Sequence, residues 1–238
     1  MLPTRTDVEY IVSPPPSHPQ SLLYMFRSYK CRVILENNFL YCIYQMIDGQ
    51  SVKRILILSA NPLETSRLRL DQEVREIREA IQKSRNRENI DLIIATAVRT
   101  RDIQQEILYN KPQIVHFSGH GAGNQGLIFE DINGRAKPVT TEALATLFGL
   151  CAHYVECVVL NACYSITQAE GIASHIDYVV AMRQEIKDPG AIEYSRDFYF
   201  AIASGEAYDV AHEYGRNAIR TECLGDEMTP MIKKKDLD

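Results

Sequence analysis

Hydrophobic and polar positions alternate between two rhythms along most of the chain. Short aliphatic runs such as residues 55–58 and 158–160 are typical of strands that a parallel sheet buries on both faces. Between these runs, apolar residues recur every three or four positions, which predicts helices with one buried stripe. The first such stripe consists of Leu70, Val74, Ile77 and Ile81.

Strand and helix signals follow one another from residue 53 onward. Strands are predicted at residues 55–58, 90–95, 113–117, 157–160 and 178–182, and helices at 68–84, 101–109, 140–150, 168–175, 191–203 and 207–220. A hairpin that turns at Asn133-Gly134 interrupts the order after the third strand. The alternation predicts an α/β fold of three layers, with a mainly parallel sheet flanked by helices on both faces.

Residues 1–52 lack this rhythm and are interpreted as an N-terminal extension. The proline run at 14–16 favours an extended polyproline arm, and residues 31–35 and 39–47 predict a hairpin. We expect a chain that begins at Met46 to fold with the same core, because the first core strand and its covering helices lie downstream.

The patterned domain is predicted to span residues 53–232, and residues 233–238 are interpreted as a charged, solvated tail. The net charge of −5, with lysines and arginines scattered along the chain, gives no basic face for nucleic acid. The longest uncharged apolar run, residues 37–47, is shorter than the ~18 residues of a membrane-spanning helix, and no signal peptide is visible. We therefore expect a soluble protein that binds neither a membrane nor nucleic acid directly.

The cysteines indicate a reducing compartment. Six are present, without CxxC pairs or the dense spacing of a secreted disulfide framework. This pattern favours free thiols in the cytoplasm and no zinc site. We expect neither a metal nor a cofactor.

Two polar segments follow predicted strands and carry the candidate chemistry. His120 stands between Gly119 and Gly121 after the third strand, and Cys163 follows the fourth. Because chemistry in open α/β sheets collects outside the carboxyl ends of the strands, a histidine and a cysteine at adjacent strand ends can face one another. This is the material of a cysteine nucleophile with an imidazole base.

Nucleotide binding is disfavoured. The turn after the first strand lacks GxGxxG, the chain has no GxxxxGK[ST] motif, and the glycine-rich segment 119–126 leads into a hairpin and not a helix. In the cysteine interpretation, the amides of Gly121 and Cys163 form an oxyanion hole. The plainer alternative, that the glycines only make a tight turn, stays open.

These segments carry a resemblance to a known family. Five segments of the chain together resemble the CHAT branch of the caspase-like cysteine peptidases, the clan of caspases, metacaspases and separases. In chain order they are ILILSANP, LRLDQEVREI, VHFSGHG, VVLNACYS and HIDYVV. The resemblance covers residues 53 to about 232 and leaves residues 1–52 outside. His120 precedes Cys163 by 43 positions, against about 50 in the caspase signature.

The resemblance implies a cysteine endopeptidase that acts on protein or peptide substrates. It assigns Cys163 as the nucleophile and His120 as the general base, with the Gly121 and Cys163 amides polarising the scissile carbonyl. Asn161 stands where caspases have glutamine and metacaspases aspartate, and Ser165 replaces the caspase glycine. Specificity for a P1 aspartate or arginine is therefore unsupported.

The remaining candidates carry two interpretations each. Tyr164 and Ser165 either shape the substrate pocket or simply start the next loop, and Glu130 and Asp177 either line the pocket or are simply solvated. Asn161 is a further candidate for the substrate pocket because of its place in the resemblance. His116 lies in a strand sequence and is interpreted as a core histidine, and Cys157 as core packing.

Two other functions remain open. One is a non-catalytic CHAT interaction or effector module in which the dyad never assembles, and the other is a hydrolase of a small amide or ester. If the chain is a peptidase, a regulatory protein partner or oligomer is expected to order the loops after His120 and Cys163.

Overall fold

The computed structural model describes residues 8–12, 29–36, 39–46 and 52–235. The chain divides into two compact units, residues 1–51 and 52–238. In the first unit, strands β1 (Val8–Val12), β2 (Tyr29–Glu36) and β3 (Phe39–Met46) form an antiparallel sheet in the order β1-β2-β3. The pair β2 and β3 occupies the positions of the predicted hairpin, whereas the proline run lies outside the described residues.

The second unit contains the patterned elements. Its strands are β4 (Lys53–Ser59), β5 (Ile90–Ala95), β6 (Ile114–Ser118), β7 (His120–Gly121), β8 (Leu127–Glu130), β9 (Ala136–Val139), β10 (Cys157–Asn161), β11 (Tyr178–Met182) and β12 (Pro230–Lys234). Its helices are α1 (Leu70–Lys83), α2 (Thr100–Asn110), α3 (Thr141–Cys151), α4 (Ile166–Ala173), α5 (Asp188–Ser204) and α6 (Tyr208–Thr221). Strands β7, β8 and β9 form a small antiparallel sheet, with the predicted Asn133-Gly134 turn between β8 and β9.

Six strands form the central sheet in the order β12-β11-β10-β6-β4-β5. All neighbours pair in parallel except β12, which runs antiparallel to β11. The sheet is therefore mainly parallel, as predicted, and β6 and β10 are adjacent. Ser118 pairs with Asn161 at their carboxyl ends, so the segments that follow both strands leave the sheet at the same edge.

Strand β12 was missed by the sequence pattern. Lys233 and Lys234 were interpreted as the start of a solvated tail, but they pair with Val179 and Tyr178 of β11. The correction has a physical reason: an edge strand rich in lysine carries no run of buried residues and only weak alternation, which is how proteins protect sheet edges from further pairing.

Helices cover both faces of the central sheet and complete the three-layer α/β fold. One hydrophobic cluster packs α2, α3 and α4 against the side chains of Val115 and Val158, and a second packs α1, α5 and α6 against Ile114 and Val159. The Thr140 hydroxyl accepts a hydrogen bond from Ala143 N (3.3 Å) and caps α3. In the described ranges, no helix is both long and apolar enough to cross a bilayer.

Candidate active site

The sheet topology brings His120 and Cys163 to the same place. Each lies two residues beyond the end of its strand, β6 or β10, and these strand ends are in register. Both side chains line one small cavity of about 40 Å³. Leu68 and Ile186 form part of its apolar wall.

Glycine at position 121 lets the two segments touch through their backbones. A Cβ atom at Gly121 would lie 2.0 Å from the carbonyl oxygen of Cys163, which no side chain can accommodate. At Gly119 the same atom would lie 2.7 Å from Ala60 O. The glycines therefore do more than turn the chain: Gly121 allows the histidine segment to lie directly on the cysteine segment, and Gly119 allows it to lie close to the segment after β4.

The His120 ring is oriented by a main-chain contact. Its Nε2 atom lies 2.9 Å from the carbonyl oxygen of Ser66. Because a carbonyl only accepts hydrogen bonds, Nε2 carries the proton and Nδ1 holds the free lone pair of the neutral ring. Half-burial of the ring lowers its pKa below the ordinary 6.5, against a smaller opposing effect of the Ser66 contact and of Asp188.

The Cys163 thiol is protonated at rest. It is partly buried, with Sγ 3.8 Å from Ile186 O. Burial raises its pKa above the ordinary 9.0, and the nearby carboxylates of Glu185 and Asp188 raise it further. At neutral pH the site therefore holds an uncharged thiol and an uncharged imidazole.

Asp188 joins two elements that border the cavity. It is the first residue of α5, and its carboxylate accepts a hydrogen bond from the backbone N–H of Arg69 (3.2 Å), which precedes α1. The loop that carries Ser66 is thereby tied to the start of α5.

Asn161 and Ser165, which lie two positions before and after Cys163, have buried side chains that bond to other protein groups. Asn161 is 6% exposed; its Nδ2 donates to Glu73 Oε1 (2.5 Å) and lies 3.3 Å from Ser195 Oγ, although Asn161 also borders the cavity. Ser165 is fully buried, where Oγ donates to Leu160 O (3.1 Å) and accepts from Met182 N (3.0 Å). The hydroxyl of Ser165 thus braces the loop after the nucleophile.

Tyr164, unlike Asn161 and Ser165, is not buried. It is half-exposed and has a φ of +56°, a left-handed conformation that costs a residue with a Cβ about 1–2 kcal/mol. The backbone immediately after Cys163 is therefore strained, a feature that accumulates at functional sites.

The two acidic candidates do not border the small cavity. Glu130 Oε1 accepts from Asn61 N (3.2 Å) and lines a larger cavity of about 640 Å³ near the ends of β4 and β5. Asp177 is exposed and precedes β11, so it lies at the opposite edge of the sheet from Cys163. The expectation that Asp177 lines the pocket is corrected by the strand direction: the parallel strand carries it away from the carboxyl edge.

The predicted core residues are buried. His116 is 0% exposed and its Nδ1 lies 2.9 Å from the hydroxyl of Tyr199. Cys157 is also fully buried at the start of β10, and burial raises its pKa far above the ordinary 9.0. Across the described ranges, no group of three or more His, Cys, Asp or Glu side chains is arranged to hold a metal ion.

Sequence reasoning missed three residues of this region: Ser66, Glu73 and Asp188. Ser66 acts through its carbonyl group, so its side chain gave no signal. Glu73 had one: it lies three positions after Leu70 and four before Ile77, within the apolar stripe of α1, where a carboxylate needs a partner.

Curated proteins similar to this chain are named as proteases. A "Probable protease" of Gillisia limnaea is 27% identical over 180 residues, which are 74% of this chain and 32% of that protein. A "Roc-COR-CHAT protease" of an unknown prokaryotic organism is 27% identical over 175 residues, 71% of this chain and 16% of that protein. The chain thus spans a third or less of these relatives.

The fold is similar to that of a solved cysteine protease. The X-ray structure of "iotapain", a secreted C11 cysteine protease from Bacteroides thetaiotaomicron, superposes with a TM-score of 0.51 at 10% sequence identity, covering 70% of this chain and 62% of that one. The CHAT domain profile matches residues 24–223. It begins well before residue 53, so the expectation that the whole N-terminal extension lies outside the resemblance is wrong for residues 24–52. The chain belongs to the CHAT domain family.

Proposed function

We propose that this chain is a cysteine endopeptidase domain in which Cys163 is the nucleophile and His120 the general base. The observation that carries the proposal is the convergence of both side chains on one cavity at the carboxyl ends of adjacent parallel strands. The family relationship to proteases adds the reaction class.

The first step moves one proton. The lone pair on His120 Nδ1 accepts the Cys163 Sγ proton, while the Nε2–H group keeps its hydrogen bond to the Ser66 carbonyl oxygen, which stabilises the imidazolium that forms. The thiolate then attacks the scissile carbonyl carbon, and the C=O electron pair moves onto oxygen.

The backbone amides of Gly121 and Cys163 are proposed to receive that oxyanion. Collapse of the tetrahedral intermediate breaks the C–N bond, and the imidazolium returns its proton to the departing amine. Water then hydrolyses the thioester with His120 again as the base, which frees the carboxylic acid and restores the thiol.

We propose protein or peptide as the substrate and the cytoplasm as the compartment. The thiols of Cys151, Cys157, Cys163 and Cys223 are all free, which suits a reducing environment. Because the chain covers a third or less of its curated relatives, we also propose that a regulatory partner or a further domain controls the loops around the cavity.

Peptide probes that carry an electrophile and vary at P1 test the dyad. We expect Cys163-dependent labelling and cleavage, lost in Cys163→Ala and in His120→Ala to a similar level, because the two groups act as a unit. Cys223→Ala is the matched control, since Cys223 is an exposed free thiol and does not border the cavity.

The pH dependence has a defined sign. Because burial lowers the pKa of His120, the ring stays a competent base below pH 6.5, and activity is expected to fall only at more acidic pH. Activity that survives in Cys163→Ala would favour the small-amide or ester hydrolase. A wild-type chain that shows no Cys163-dependent cleavage with any probe would favour the interaction module.

A further inference from the structure

Glu73 is a buried carboxylate next to the cavity that the proposed reaction steps do not use. Its side chain is 4% exposed and lies on α1. It accepts hydrogen bonds from Ser118 Oγ, from Asn161 Nδ2 (2.5 Å) and from Ser195 Oγ (2.7 Å). Three donors from three different elements therefore converge on one carboxylate.

Two of these donors sit at equivalent places in the sheet. Ser118 is the last residue of β6, Asn161 is the last residue of β10, and the two are register partners. Each stands two residues before a proposed catalytic side chain. The Glu73 carboxylate thus bridges the ends of the two strands that carry His120 and Cys163.

A histidine completes the shell around the carboxylate. His116 Nε2 lies 3.2 Å from Glu73 Oε1, and the other ring nitrogen lies 2.9 Å from the Tyr199 hydroxyl. Burial alone raises the pKa of Glu73, but His116 and then the hydroxyls of Ser118 and Ser195 bring it below the ordinary 4.5. The carboxylate is therefore charged at neutral pH.

A role in stability alone does not explain a charge at this place. A wholly apolar set of side chains would fill the same space at no greater cost, because replacing buried ionic groups together with their partners by packed hydrophobic ones is often neutral or stabilising. What an apolar side chain cannot do is accept hydrogen bonds from both strand ends at once.

We propose that Glu73 is a positioning residue that holds the ends of β6 and β10 in the register at which His120 can act on Cys163. The proposal rests on the function proposed above. Glu73 reaches neither reacting group and acts through Ser118 and Asn161.

The test measures how strongly Cys163 reactivity depends on His120. Alkylation of Cys163 by iodoacetamide is followed by mass spectrometry of the Cys163 peptide, across pH, in the full chain. In the wild-type background we expect His120→Ala to slow alkylation at neutral pH at least about 10-fold, as loss of a general base does. In the Glu73→Gln background the same substitution should change the rate less than about 2-fold, because the base is already out of position.

The pH profile separates positioning from simple destabilisation. The Glu73→Gln profile should coincide with that of His120→Ala, in which an unassisted buried thiol reacts only at alkaline pH. Ser195→Ala is the matched control: it removes the α5 contact to the same carboxylate and the longer contact to Asn161 Nδ2 (3.3 Å), but Ser118 and Asn161 both stay bonded to Glu73, so full dependence on His120 is expected. If Glu73→Gln does not fold, Ser118→Ala replaces it and should lower the dependence on His120.

Two results overturn the proposal in different ways. A folded Glu73→Gln chain, or in its place Ser118→Ala, that keeps the wild-type dependence on His120 shows that the network does not position the pair, and leaves the proposed peptidase function intact. Equal alkylation rates in the wild type and in His120→Ala overturn the dyad itself, and the role of Glu73 with it.

Discussion

The two faces of the central sheet are packed with different chemistry. Side chains alternate along β6, so Val115 and Phe117 point toward α2, α3 and α4, whereas Ile114, His116 and Ser118 point toward α1, α5 and α6. The cluster on the first face consists of aliphatic and phenylalanine side chains with Cys151, and Gln168 of α4 is a buried polar residue on this side. The second mixes such residues with buried polar ones, namely Glu73, His116, Ser195, Tyr194, Tyr199 and His212.

The difference separates two tasks. Apolar contacts are non-directional, so the first face specifies the layers of the fold without fixing any single atom. Hydrogen bonds demand defined distances and angles, and on the second face they meet at the strand ends below the cavity. We therefore expect substitutions on the apolar face to lower stability, and substitutions on the polar face to change pH dependence and reactivity as well.

The largest effect on stability is expected at Phe148, a residue of α3 on the apolar face that is 3% exposed. Phe148→Ala should lower the free energy of unfolding by about 3–5 kcal/mol through lost burial and a residual cavity. Urea unfolding gives this value, and Phe148→Leu should lose far less. The alkylation rate of Cys163 in the folded fraction should stay at the wild-type level; a change would show that the two faces are not separate.

The next effect is a pH dependence on the polar face. Burial lowers the pKa of His212 to about 4 from the ordinary 6.5, and Nδ1 lies at hydrogen-bond distance, 2.7 Å, from the Tyr194 hydroxyl. Between pH 6.5 and about 4, His212 is therefore protonated in the unfolded chain but not in the folded chain, so the folded state loses stability as the pH falls through this range.

The lowering of the His212 pKa corresponds to about 3 kcal/mol of unfolding free energy. In His212→Gln, which keeps a side-chain acceptor, the drop in unfolding free energy between pH 7 and pH 4 should be smaller by about that amount. Glu73 adds to the acid-induced loss in both chains, since its pKa is depressed, and the comparison cancels its contribution. Parallel curves for the two chains would assign the whole loss to other groups.

A smaller effect is expected from one hydroxyl on each face. Tyr199→Phe leaves Nδ1 of the buried His116 without its partner and should cost about 1–3 kcal/mol. Tyr154→Phe removes a longer contact, 3.5 Å to Ile107 O, beside the apolar face, and should cost less than about 0.5 kcal/mol. Equal losses measured by urea unfolding would contradict the contrast between the faces.

The smallest effect concerns the strained residue after the nucleophile. Tyr164→Gly should be about 1 kcal/mol more stable than Tyr164→Ala, because only glycine adopts a positive φ without a steric cost. Thermal unfolding of both variants measures the difference. If the two variants are equally stable, the loop relaxes on substitution and the strain is not a fixed property of the site.

Most of the fold was predictable from the sequence because its signals are collective. The runs at 55–58 and 158–160 and the stripe of α1 each repeat one period over several residues, so a single exception does not hide them. The convergence of His120 and Cys163 on one cavity was predictable by the same argument, since the loops that leave parallel strands emerge at one edge of the sheet.

The parts that escaped prediction depend on single contacts. Strand β12 forms because β11 offers a free edge, and the identities of Lys233 and Lys234 do not indicate that they pair with it. The orientation of His120 depends on a carbonyl group of the main chain, which every residue possesses, so nothing in the identity of Ser66 indicates it. Glu73 and Asn161 meet across 88 positions of sequence, and no local pattern relates them.

The backbone contact at Gly121 has a consequence for how such a site can change over time. Because Gly121 has no side chain, the backbones of the histidine and cysteine segments are in direct contact, and this contact sets the distance between the two segments. Substitutions in the apolar wall of the cavity, at Leu68 or Ile186, alter its shape but touch neither this backbone contact nor the hydrogen bonds of Glu73. The apolar wall of the cavity and the spacing of the two segments are therefore free to change independently of each other.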